Sequence, residues 1–116
     1  MDPLELARYV VDIVEDRKAE DIVLLDLRPD TVIADFFVIA NGNSERQLRA
    51  LMDYVREDVK ENMNTIPFSA SGTPESGWIV LDYGDVVVHL FSEDQRDYYD
   101  IEGLWSEAGN VLLSIQ

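Results

Sequence analysis

Apolar side chains return every three to four residues in three stretches of the chain, and each stretch opens on a helix-starting signal. Asp2-Pro3-Leu4-Glu5 combines an N-cap Asp, a Pro at the first helical position and an acid three residues after the cap. Ala7, Val10, Val11 and Val14 follow as one apolar face up to about Asp16. Ser44-Glu45-Arg46-Gln47 is a capping box ahead of Leu48, Leu51, Met52, Val55 and Val59. Ser92-Glu93-Asp94-Gln95 is another, leading into a single helix through Tyr98, Ile101, Leu104 and Trp105. Gly103 weakens that last pattern by about 1 kcal/mol against Ala.

Between the helices the period shortens. Ile22 to Leu27 and Phe36 to Ala40 are nearly continuous apolar runs, as expected of strands covered on both faces. Arg28-Pro29-Asp30 reads as a turn that makes an antiparallel connection between them. Trp78 to Tyr83 and Val86 to Phe91 form a hairpin closed by Gly84-Asp85, with Gly at the first loop position. Ile66 to Gly77, rich in Ser, Pro and Gly, is loop or a weak edge strand. The order of helix, two strands, helix, strands, helix predicts a single α/β domain over residues 1–116, a mixed β-sheet packed with helices.

The hairpin sorts its side chains onto two faces. Tyr83 with Val86, Leu81 with Val88 and Ile79 with Leu90 make one wholly apolar face, which belongs against helices. The other face pairs Trp78 with Phe91, Val80 with His89 and Asp82 with Val87. Large aromatics mixed with a histidine and an acid suit a protein contact; periodicity alone favours core beneath another helix.

Composition narrows the chemistry. Nine Lys+Arg against 24 Asp+Glu give a net charge of −15. Such a field works against broad nucleic-acid binding and against anionic membranes, and it favours a basic protein partner or simply keeps the chain in solution. With 0 Cys there is no disulfide, thiolate nucleophile or Cys-based metal site, and the single His89 precludes a multi-His centre. No apolar run approaches the roughly 20 residues of a membrane span, and Met1-Asp2-Pro3 lacks the cations of a signal peptide, so a cytoplasmic location is expected. Asp26, Asp35, Asp82 and Asp85 stand near strand ends where paired carboxylates can hold Mg²⁺, a weak signal in so acidic a chain. Gly42-Asn43-Ser44 before a helix can either cradle a phosphate or serve only as turn and N-cap.

Several segments together resemble the ribosomal silencing factor family, also called RsfS or Iojap. They are Lys18-Ala19-Glu20-Asp21-Ile22 with Leu25-Asp26, then Ala34-Asp35-Phe36-Phe37-Val38-Ile39 into Gly42-Asn43-Ser44, then Arg46-Gln47 and Ala50. The run from Trp78 to Phe91 follows, with Asp82, Gly84, Asp85 and His89 at fixed spacing, and then Arg96, Tyr98-Tyr99, Ile101-Glu102 and Leu104-Trp105. One departure is Ser71-Gly72, where the family usually has Glu-Gly. The resemblance implies a fold similar to nucleotidyltransferases without their catalytic set, and hence a binding protein rather than an enzyme. It implies attachment to the large ribosomal subunit through ribosomal protein fourteen, blockage of small-subunit joining, repression of translation, a link to large-subunit assembly, and a homodimer. It implies no cofactor or metal, and little direct nucleic-acid contact. It moves the hairpin's mixed face toward contact, with Trp78, Val80, Asp82, His89, Phe91 and Tyr98 as the partner-binding residues and Trp78 facing solvent in the free protein. The competing reading is a nucleotidyltransferase-like enzyme, which needs two carboxylates converging on Mg²⁺.

Overall fold

Asp2 accepts a hydrogen bond from the Leu4 amide and starts the first helix, α1 (Pro3–Asp16), as its cap and N1 proline require. The computed structural model describes residues 2–28, 33–105 and 110–116. The other elements are β1 (Glu20–Asp26), β2 (Phe36–Gly42), α2 (Glu45–Met63), β3 (Ser69–Thr73), β4 (Trp78–Asp82), β5 (Val86–Ser92), α3 (Glu93–Tyr99), α4 (Ile101–Trp105) and β6 (Asn110–Ile115). The strands form one mixed sheet in the order β3-β4-β5-β2-β1-β6. Among the described residues only β2 and β5 pair in parallel, with Phe36 beside Val86 through to Gly42 beside Ser92. These two central strands are buried on both faces, which is why their sequences read as continuous apolar runs.

The sheet divides the core in two. Ile79, Leu81, Tyr83, Val86, Val88 and Leu90 pack with Phe36, Val38 and Ala40 against the apolar stripes of α1 and α2. The opposite face holds a smaller core of Leu25, Leu27, Ala34, Phe37, Ile39, Val87 and Phe91, closed by Ile101 of α4. The hairpin has the expected register, Trp78 opposite Phe91 and Asp82 opposite Val87. Its turn is locked by the Tyr83 amide donating to the Val86 carbonyl at 2.8 Å, with Gly84 at φ +90°. An L side chain strains there, so the glycine is required.

Two expectations change and one open choice is resolved. The third helix is two: Asp100 takes a left-handed φ of 45°, ends α3 as its C-cap and forces a new start at Ile101. The Ser- and Gly-containing stretch after Ile66 does form an edge strand, because β4 supplies a pairing template from Ser69–Asp82 to Thr73–Trp78. A sixth strand, β6, pairs antiparallel with β1 and extends the sheet beyond any strand the patterning predicts. Of the expected turn after β1, Pro29 and Asp30 lie outside the described residues, as does the side chain of Trp105.

Candidate contact surface

The mixed face of the hairpin is graded in depth. Phe91 and His89 are buried beneath it, whereas Trp78, Val80 and Asp82 are half-buried. Phe91 and His89 therefore support the surface of the free chain rather than form it. Trp78 stacks on Phe91 with ring centroids 5.1 Å apart and meets Tyr99 at 4.4 Å. Tyr99 in turn stands edge-on to Tyr98 at 5.0 Å. A continuous line of rings thus runs from the core to Tyr98, which is 78% exposed. Leu104, on the adjacent short helix, is 73% exposed. The expectation that Trp78 simply faces solvent is corrected: Tyr99 packs on its ring, so Trp78 joins the second core to the surface.

Hydrogen bonds fix the orientation of the indole. Trp78 Nε1–H donates to His89 Nδ1 at 3.2 Å, which places the imidazole proton on Nε2. That nitrogen is buried with no hydrogen-bond partner among the described residues, and the imidazole stands edge-to-face with Phe37 at 4.7 Å. Burial pushes the His89 pKa down to about 4, and the charge of Asp82 only partly opposes it. His89 is thus a neutral acceptor that orients Trp78. Asp82 is engaged by its own turn, where Oδ1 accepts the Gly84 amide at 2.8 Å.

The corner that carries Tyr98 and Leu104 is held from behind by Arg96. This buried guanidinium grips Glu102 through Nε–Oε1 at 2.6 Å and Nη2–Oε2 at 2.9 Å. Its Nη1 also donates to Asn41 Oδ1 at 2.9 Å and to the Asp21 carbonyl. One side chain therefore ties α3 and α4 to β1 and β2, and the bidentate fork needs Arg rather than Lys. Sequence reasoning singles out neither Arg96 nor Tyr99 as a site residue; the only signal is their place in the Arg-x-Tyr-Tyr-x-x-Glu spacing.

The Gly42-Asn43-Ser44 turn is used structurally. Ser44 Oγ accepts the Gln47 amide at 3.0 Å, and Gln47 Oε1 accepts the Asn43 amide at 2.6 Å. A Cβ on Gly42 would meet the Leu48 side chain at 2.9 Å, so glycine serves close packing here. The adjoining 390 Å³ cavity is lined by Glu45, Glu75, Glu93 and Asp94 with no Lys or Arg, a lining that repels phosphate. Among the described residues no three His, Asp or Glu side chains converge as a metal site, and no helix is long and apolar enough to cross a membrane.

A family model described as "ribosomal silencing factor during starvation" matches residues 1–116. The ribosomal silencing factor RsfS of Halalkalibacterium halodurans is 40% identical over 109 residues, covering 94% of this chain and 92% of that protein. A mouse protein named for mitochondrial assembly of the ribosomal large subunit is 29% identical over 99 residues, covering 84% of this chain and 43% of its own. A crystal structure of a Chromobacterium violaceum protein superposes with a TM-score of 0.86 at 36% identity, covering 91% of this chain and 88% of that one. The chain belongs to the RsfS family of ribosomal silencing factors.

Proposed function

We propose that this chain binds the large ribosomal subunit through ribosomal protein fourteen and blocks association with the small subunit, repressing translation. It acts by occupying a surface, as a binding protein in the cytoplasm and not as a catalyst. Family membership supports the ribosomal setting, and the mouse relative's name supports a further role in large-subunit assembly. The observation that carries the contact assignment is the ring line from Phe91 to exposed Tyr98, held in place by Arg96. Exposed aromatics on a rigid support lose little entropy on docking and fit the anchor role. A net charge of −15 suits a basic protein and disfavours direct rRNA contact. In the absence of the ribosome, the exposed Tyr98, Tyr99 and Leu104 offer an apolar surface on which two copies can associate as a homodimer.

The test is sucrose-gradient sedimentation of isolated large subunits with the protein, with and without small subunits. The protein should travel with large subunits and reduce the joined-ribosome peak. Unchanged joining at saturating protein would refute the proposal.

A further inference from the structure

The outer edge of β3 is a second place where this chain can be engaged. Among the described residues β3 ends the sheet and pairs only with β4, and all five of its residues are exposed. In an antiparallel pair, alternate residues turn their amides and carbonyls away from the partner strand, so this edge presents unpaired backbone groups ahead of Gly72, which bends the strand at φ +84° before the Thr73 amide donates to Ser76 Oγ at 3.2 Å. Proteins usually blunt such an edge with lysine, proline or an inward charge. Between the flanking Pro67 and Pro74, Ser69-Ala70-Ser71-Gly72-Thr73 carries none of these, and its small side chains let another backbone approach.

Two features give the edge depth. The helix α2 stops short of covering β3, leaving an open groove of about 710 Å³ walled by Asp53, Arg56, Glu57 and Lys60 on one side and Phe68 and Ala70 on the other. Phe68 is 83% exposed and Ile66 67% exposed, both just before the strand. The other side of β3 borders the contact surface, since Ser71 lies opposite Val80 and Thr73 opposite Trp78.

Charge selects the occupant. The four ionised groups on the groove wall cancel, so the excess of −15 lies elsewhere on the molecule. Acids stand at both ends of the edge: Asp82 lies opposite Ser69, and Glu75, exposed and 3.7 Å from Arg49, comes two residues after Thr73. A second copy would bring the same −15 to the same edge, and mutual repulsion opposes that pairing. The net charge thus opposes edge-to-edge pairing of two β3 strands, which leaves self-association to the Tyr98 surface and this edge open to a cationic strand.

We propose that the free edge of β3 accepts an extended, basic strand from the ribosomal protein partner, continuing the sheet by one antiparallel strand whose apolar side chains rest on Phe68 and Ile66. This rests on the ribosome-binding reading above and adds its mode: backbone ladder at the β3 edge beside aromatic anchors at Trp78 and Tyr98.

The experiment pairs hydrogen exchange with charge variants at one position. Ala70 lies opposite Leu81 and so projects toward the groove, away from the Trp78 face, and its exposure lets either substitution fold. Co-sedimentation with isolated large subunits is compared for the wild-type chain, Ala70→Lys and Ala70→Glu. A basic strand predicts that Ala70→Lys weakens binding about tenfold or more while Ala70→Glu holds or strengthens it. The outward-facing amides of β3 should exchange about tenfold more slowly in the wild-type complex, as newly paired strand amides do. If both variants bind like wild type and those amides stay unprotected, the edge proposal fails and the ribosome-binding reading stands. Equal weakening by Lys and Glu overturns the basic character of the strand. If the wild-type chain does not sediment with large subunits, both readings fall.

Discussion

His89 is the residue whose chemistry the fold alters most. Its folded pKa, about 4, lies below the ordinary value of 6.5, so the native state holds the neutral form. Between those values the unfolded chain binds more protons than the native one, and stability must fall as pH falls. The loss begins near pH 6.5 and is complete below about 4, amounting to ~3 kcal/mol at about 1.4 kcal/mol per unit. Comparing thermal melts of wild type and His89→Gln from pH 7 to 4 isolates this slope from that of the carboxylates; the variant should show the shallower decline. Trp78 makes a different point. Because its ring is packed between Phe91 and Tyr99, Trp78→Glu forces a carboxylate against an aromatic core and should lower the melting temperature as well as binding. Tyr98→Glu is the cleaner probe, since its exposed ring can be replaced without cost to the fold. The sequence makes the alternation of this face plain. It does not reveal the depth of each residue, because Tyr99 and Ile101 arrive from a helix pair whose break at Asp100 depends on one left-handed residue.

At the scale of elements, helix starts are legible because caps are local chemistry: Asp2, Ser44 and Ser92 each bond the amide their position predicts. Ser44→Ala should cost about 1 kcal/mol in urea unfolding, the usual worth of such a cap. The hairpin is legible for the same reason, its turn and register being set within a few residues. What the chain does not display is anything fixed by a distant partner. β3 has poor strand-forming residues and exists because β4 templates it; β6 is a short apolar segment that gains meaning only beside β1. Arg96 belongs here too, since its partners come from β1, β2 and α4. Arg96→Met leaves Asn41 and Glu102 without their cation and should destabilise the domain by about 3 kcal/mol. Arg96→Lys should recover little of that, because an ammonium cannot hold Glu102 in two parallel bonds. Chemical denaturation of the three proteins side by side checks both statements.

For the whole molecule, the excess of 24 acids over 9 bases sets how it meets a partner. Binding to large subunits should weaken moderately as salt rises, since the screening length contracts to about 3 Å at 1 M. Co-sedimentation across a salt series reads this directly, and binding that strengthens steeply with salt would mean an apolar contact without charge complementarity. The acidic lining at Gly42-Asn43-Ser44 carries the same field to a turn that would otherwise suit a phosphate. The most direct measurement compares the wild-type chain with a Tyr98→Glu, Leu104→Glu double variant for inhibition of subunit joining, with a melting curve taken on each preparation. The account predicts a variant that melts like wild type and leaves joining uninhibited. A variant equally well folded that blocks joining as strongly as wild type would contradict it.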